Sequence, residues 1–188
     1  MMKTTTAGIL TVLGLLIAGQ AQADFTPEDA ARLDRESIAT LDKFQSDTPE
    51  AKTLIEHANG VLVCPKITKG GFIVGVESGK CTLRVRGETV EHYRTQSGKL
   101  GLLIGVQSYS MILVFNQQAV LDTFRTGKRV WEVGVDASVA VAGRGASGKM
   151  DSTNLQQAIV AFIFGEHGLM ADLSIEGSNF RKIAVQDK

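Results

Sequence analysis

Between residues 26 and 58 apolar side chains recur at helical spacing, and from Val61 onward the period shortens to that of strands. In "TPEDAARLDRESIATLDKF", residues 26–44, Ala30, Leu33, Ser37, Leu41 and Phe44 fall near one face with Ile38 beside them. Thr26 before Pro27 and a run of acids is a helix start, so the stretch predicts an amphipathic helix. A second start, Thr48-Pro49-Glu50, leads into Ala51, Leu54, Ile55 and Ala58. Asn59-Gly60 is the expected stop, because glycine readily takes the left-handed terminating conformation.

The strand-like segments are "VLVCP", "GFIVGV", "CTLRVR", "TVEHYR", "LGLLIGV" and "YSMILVF". In "CTLRVR" the face Cys81, Leu83, Val85 opposes Thr82, Arg84, Arg86, the alternation of a half-buried strand. "ESGK", "RGE" and "QSGK" are the expected turns. Asn116 is placed to cap a short helix through Ala119, Val120, Leu121 and Phe124 to Gly127, and strands resume at Trp131.

"VGVDASVAVAG" puts Val133, Val135, Ala137, Val139 and Val141 on one strand face and only Gly134, Asp136, Ser138, Ala140 and Ala142 on the other. So small a face predicts close approach by a helix or by the interior of a curled sheet. Gly71, Gly75, Gly101 and Gly105 supply the kinks a closing sheet needs. "AIVAFIFG" and "LMADLSIEG" follow as strands, the latter with Leu169, Ala171, Leu173 and Ile175 inward. The expected fold is α+β: a single domain with an antiparallel β-barrel-like core and about three helices packed on its surface.

The first 23 residues have the make-up of an export signal. Lys3 gives the positive start, Ala7–Gly19 is uncharged and apolar, and Ala21-Gln22-Ala23 is a small-x-small site. Cleavage between Ala23 and Asp24 would leave residues 24–188 as the domain, in the periplasm or outside the cell. The apolar run is shorter than the ~20 residues a membrane-spanning helix needs. Of 20 Lys+Arg and 20 Asp+Glu in the chain, cleavage removes only Lys3. Overall charge therefore points to neither nucleic acid nor an acidic membrane, and an anionic partner has to be met by a local patch.

Export also bears on Cys64 and Cys81, the only cysteines. An oxidising compartment lets a disulfide persist; two buried thiols or half of a metal site are the alternatives, the last lacking nearby His or Cys partners. "GRGASGKMDST" offers Gly143, four residues on Gly148-Lys149, and a phosphate-loop spacing. Met150 stands where such a loop needs a hydroxyl, and a thioether does not ligand a hard cation. His57, His92 and His167 are scattered without metal-ligand spacing, and no serine stands in a nucleophile elbow. Asp136, on the small face, is expected to hydrogen-bond a neighbouring turn. No enzyme activity, cofactor or metal is expected. The remaining chemistry is cationic: Lys66 and Lys69 in "PKITKGG", Arg125, Lys128 and Arg129 in "FRTGKRVW", and Arg144 and Lys149, all in glycine-containing stretches where side-chain charge and backbone N–H groups can meet an anion.

From about Asp34 to Val185 the chain resembles the SYLF domain, a lipid-binding module also found in yeast actin-patch proteins. The resemblance lies in "ANGVLVCPKITKGGFIVGVESGKCTLRV", "WEVGVDASVAVAG" and "GLMADLSIEGSNF". It implies a β-barrel core with surface helices and a non-enzymatic activity, the binding of phosphoinositide or similar anionic lipid; for an exported bacterial member it implies an envelope protein. Cys64 stands where the family commonly has an aromatic and Cys81 where it has glycine, and two departures that are both cysteine favour a bond between them. Actin binding is not carried over to an exported protein. The basic amphipathic segment that serves lipid contact in eukaryotic relatives matches the first helix, where Arg32, Arg35 and Lys43 are outnumbered by Glu28, Asp29, Asp34, Glu36 and Asp42. Weak contact with anionic head groups is therefore the expected function, and a structural or protein-interaction scaffold of the envelope is the alternative.

Overall fold

The computed structural model describes residues 25–71, 74–100, 106–127, 130–142, 156–165, 168–169 and 175–186. The export segment with Ala23 and Asp24, and Lys128, Arg129, Arg144 and Lys149, lie outside these residues.

Helix α1 (Pro27–Asp47) begins as the sequence predicts. The Thr26 hydroxyl accepts from the Asp29 N–H at 3.2 Å, and the Asp29 carboxylate accepts from the Thr26 N–H at 3.4 Å, a reciprocal capping box. Helix α2 (Pro49–Glu56) ends before the predicted stop, and Gly60 instead opens strand β1 (Gly60–Gly71). A Cβ there would lie 2.9 Å from Leu121 Cδ1, so a larger residue would displace that buried side chain.

Four long antiparallel strands replace the six short ones expected. Strands β1, β2 (Val74–Val85), β3 (Glu88–Leu100) and β4 (Val106–Phe115) form the centre of the sheet. "ESGK" and "QSGK" are ladder residues within β2 and β3, and only "RGE" turns the chain. Arg86 (φ 53°) and Gly87 (φ 83°) form its two-residue reversal. Helix α3 (Gln118–Thr126) starts two residues beyond Asn116, whose amide N–H₂ donates to the Gln157 carbonyl instead of capping. Gly127 ends the helix as expected, its N–H donating to Thr123 O.

The segment 131–142 is not one strand. Strand β5 (Trp131–Glu132) gives way to a turn at Gly134 (φ 88°), and β6 (Ala140–Ala142) pairs in parallel with β7 (Ile159–Gly165). The turn reverses the alternation, so Val135 is 69% exposed while Val133 and Val141 reach the core. The two-residue β8 (Gly168–Leu169) pairs with β7, and β9 (Asn179–Ile183) with β3.

Strand order β5-β9-β3-β2-β1-β4-β7-β6 places consecutive β5 and β6 at opposite edges. Seven steps of about 4.8 Å would separate those edges by about 34 Å in a flat sheet. The eight residues from Glu132 to Ala140 span at most about 28 Å, and the Val133–Ala137 bridge doubles part of that length back. The sheet must curl, and it forms an α+β half-barrel.

Both faces are covered. Leu62, Met111, Leu113, Phe115, Ile159, Ala161 and Phe180 line the concave face, where Leu121 and Phe124 of α3 enter. Val61, Val63, Ile112, Val114, Val160 and Phe162 line the convex face under Phe44, Ala51 and Ile55 of α1 and α2. Burial on two faces explains the unbroken apolar runs of β4 and β7.

Candidate functional site

Which way each cation points is decided at Pro65. Without an N–H it cannot continue the ladder, and the register of β1 shifts there against both neighbours. The Cys64–Cys81 disulfide crosses β1 and β2 at this bulge, with both cysteines fully buried. Beyond the bulge Ile67 faces the concave core, so Lys69 does too, while Lys66, Thr68 and Gly70 face outward. The two lysines of "PKITKGG" thus part company.

Lys69 meets Glu77 across the β1–β2 ladder. Its Nζ lies 3.3 Å from Glu77 Oε1 without hydrogen-bond alignment, so Oε1 has charge compensation but no hydrogen bond. Glu77 Oε2 accepts from Tyr109 Oη at 2.8 Å and from Ser97 Oγ at 3.2 Å. The carboxylate is 4% exposed. Burial, then this neighbour, push the Tyr109 hydroxyl well above its ordinary range.

Arg125, from the last turn of α3, also ends on a carboxylate. Glu91 Oε1 accepts from Arg125 Nη2 at 3.2 Å and Lys182 Nζ at 2.7 Å, and Oε2 accepts from Tyr93 Oη at 2.6 Å. Burial raises the Glu91 pKa, but the bonds from Lys182, Tyr93 and Arg125 outweigh it and hold the carboxyl below its ordinary value of 4.5. A depressed folded pKa contributes stability above the unfolded value, which is lost as pH falls through the folded one. Glu91→Gln should therefore destabilise the domain by about 2 kcal/mol at pH 7, from lost charge-assisted hydrogen bonds. In urea titrations from pH 7 to pH 3 the gap between wild type and variant should narrow below about pH 4.5; a gap that widened would contradict the assignment.

The convex face carries a group of cations of which the sequence singled out only Lys66. Register aligns Arg181 of β9 with Arg94 of β3, Arg94 with Lys80 of β2, and Lys80 with Lys66 of β1. Four cations on four adjacent strands make one row, at the tip-ward margin of α1. Lys66 and Arg181 are exposed, Arg94 and Lys80 half-buried. Lys80 lies 4.8 Å from the Phe25 ring centroid, and none of the four forms an ion pair among the described residues. Asp29 of α1 is engaged by Thr26 and Arg32, and its pKa is lowered by the Thr26 bonds first and by Arg32 and Lys80 more weakly.

At the Lys66 end the row opens into a cleft of about 440 Å³ between α1 and the sheet. Its lining includes Lys43, Lys66, Thr40, Ser108 and Ser110 over Phe164, and no carboxylate among the described residues. Lys43 also pairs with Asp47 at 2.6 Å. Ser110 Oγ already donates to Pro65 O at 2.7 Å, so the lysines with Thr40 and Ser108 are the cleft's donors for an anion.

The other sequence candidates have local partners. Asp136 accepts from the Glu132 N–H at 2.9 Å and so fastens the turn after β5, as expected. His92 Nε2 lies 2.8 Å from Asp34 Oδ1, but the Thr82 hydroxyl donates to that same carboxylate and Ser37 donates to Thr82. Neither hydroxyl donates to the imidazole; the group ties α1 to β2 and β3. His57 contacts Thr53 O at 2.8 Å. His167 and the phosphate-loop spacing lie outside the described residues. The next described element after that spacing is a turn and then β7, a strand.

An α+β domain on a curled half-barrel, with a cationic row across its convex face, defines the type of molecule. The family model described as "Ysc84: Las17-binding protein actin regulator" matches residues 96–184, from within β3 to the end of β9. The matched family is the SYLF-domain family that the sequence resembles. No curated protein matches it significantly.

Proposed function

We propose that this domain is a non-enzymatic envelope module that binds the head groups of anionic lipids, weakly and through its convex face. The observation that supports the reading is the Arg181–Arg94–Lys80–Lys66 row, with no ion pairs among the described residues and a cleft lined by Lys43 and Lys66 at one end. Clustered basic side chains near an anionic surface contribute about 1 kcal/mol each, so four give weak, salt-sensitive binding. Lys66 is the member of this row that the sequence singled out; Lys69 and Arg125 are engaged by Glu77 and Glu91 and serve the interior. The match of residues 96–184 to the SYLF-family model supports a lipid- or protein-binding role. No helix of the described residues is long and apolar enough to cross a membrane, so contact from the surface is the mode proposed. The leader-like first 23 residues and the disulfide support export to an oxidising compartment.

Co-sedimentation with phosphatidylcholine vesicles containing phosphatidylglycerol tests this. Binding is expected at low salt and should fall steeply as ionic strength rises. Lys66→Gln with Arg94→Gln should weaken it about tenfold or more. Failure of the wild type to sediment at low salt overturns the reading and favours a protein's acidic surface as the partner of the row.

A further inference from the structure

Polarity on the convex face changes in bands toward the Gly70 end of β1. Register puts Asn179, Gln96, Ser78, Thr68 and Ser108 side by side across five strands, two residues beyond the cationic row. Two residues further the rung reads Gly98, Val76, Gly70, Val106. Val76 is 54% exposed and Val106 76%, among the most exposed large apolar side chains of the described residues. Among the described residues, a Cβ at Gly70, between them, would meet only Val106 Cγ2, at 3.8 Å.

From these bands we infer that the Val76–Gly70–Val106 edge enters the headgroup–acyl boundary of an anionic bilayer, with the strands pointing toward the membrane at that end. This rests on the lipid-binding reading and fixes how the domain meets the lipid. At about 3.3 Å per residue the valine rung lies about 13 Å along the strands from the cationic row, less when the strands tilt. Long Lys and Arg side chains can then reach the phosphates while the valines pass below them, within the roughly 5–10 Å that interfacial segments penetrate. The neutral Ser, Thr, Asn and Gln rung falls at the depth where hydrogen bonds to glycerol and phosphate oxygens replace water. A partner that was charged but rigid would use the cations and leave the valines exposed; a bilayer uses both.

The test combines two sets of full-chain variants on the same phosphatidylcholine–phosphatidylglycerol vesicles. Val76→Trp and Val106→Trp report depth, because the native Trp131 is buried at 3% exposure and supplies a fixed background. Their emission should shift to the blue and be quenched by bromine-labelled acyl chains, while wild-type emission is unchanged. The double variant Val76→Asp, Val106→Asp should keep the wild-type melting temperature, since both sites are exposed, and lose vesicle binding by about tenfold or more. If the wild type does not sediment at low salt, the lipid reading and the insertion fall together. If it sediments but the tryptophans are not quenched, or the aspartates bind as well as wild type, insertion is overturned and charge binding stands. If without vesicles the wild type is a dimer and the aspartate variant a monomer, the valines are a self-association surface and insertion is likewise overturned.

Discussion

Phe124→Ala is expected to lower the stability of the domain by about 3–5 kcal/mol, the cost of emptying a large aromatic site in a packed core. Phe124 enters the concave face from α3 and touches strands from both halves of the sheet. Its ring centroid is 4.6 Å from Tyr93, 5.0 Å from Phe115, 5.2 Å from Trp131 and 6.0 Å from Phe180. Tyr93 and Phe180 belong to β3 and β9, Phe115 to β4, and Trp131 to the edge strand β5. No other single side chain among these rings makes all four contacts, so the curl of the half-barrel closes on this one. Urea unfolding should show the loss as a lower midpoint. Trp131 emission should shift to the red in the native baseline as water reaches the indole. A loss below about 1 kcal/mol with unchanged emission would mean that α3 does not hold the curl.

The same residues show where sequence reading succeeds and where it stops. The start of α1 was legible because a capping box is local: Thr26, Pro27 and Asp29 suffice to specify it. Gly79 was misread for the opposite reason. In "ESGK" it has the composition of a turn, yet it lies in the β2 ladder, where a Cβ would come within 2.8 Å of Lys66 O and 2.9 Å of an Ile67 side-chain carbon. The glycine answers to a bulge in the neighbouring strand, which no window around residue 79 contains. The cationic row was invisible on similar grounds. Lys80 and Arg94 stand on one rung only because the register shifts between Leu83 and Arg84, three strand residues from the Arg86-Gly87 turn. Counting back from that turn without the shift would have put them on opposite faces, since a slip of one residue inverts every side chain. Arg181 joins from β9, far along the chain. Lys66 could be singled out from its glycine-containing stretch, but its companions could be found only from strand pairing.

Lys69→Met should cost about 3 kcal/mol, whereas Lys66→Met should leave stability within about 0.5 kcal/mol and act on vesicle binding alone. The two lysines are three residues apart, and Pro65 and the register shift before them fix which one turns inward. Removing the Lys69 ammonium, whose side chain is 15% exposed, leaves the Glu77 carboxylate at 5% exposure without its counter-charge. Tyr109 and Ser97 still donate to Oε2, but neither neutralises a buried charge. The expected loss is taken at the low end for a broken buried pair because Lys69 is not wholly shielded from water. Adding Glu77→Gln should recover most of it, since the carboxamide needs no cation and can still accept from Tyr109 through its carbonyl oxygen. The cycle of Lys69→Met, Glu77→Gln and the double variant, measured by urea unfolding, thus isolates the coupling between them. Additive losses would show that the pair is solvated and that Lys69 is as free as Lys66 to meet an anion; a recovered double variant assigns Lys69 to holding the barrel and leaves the convex row to the ligand.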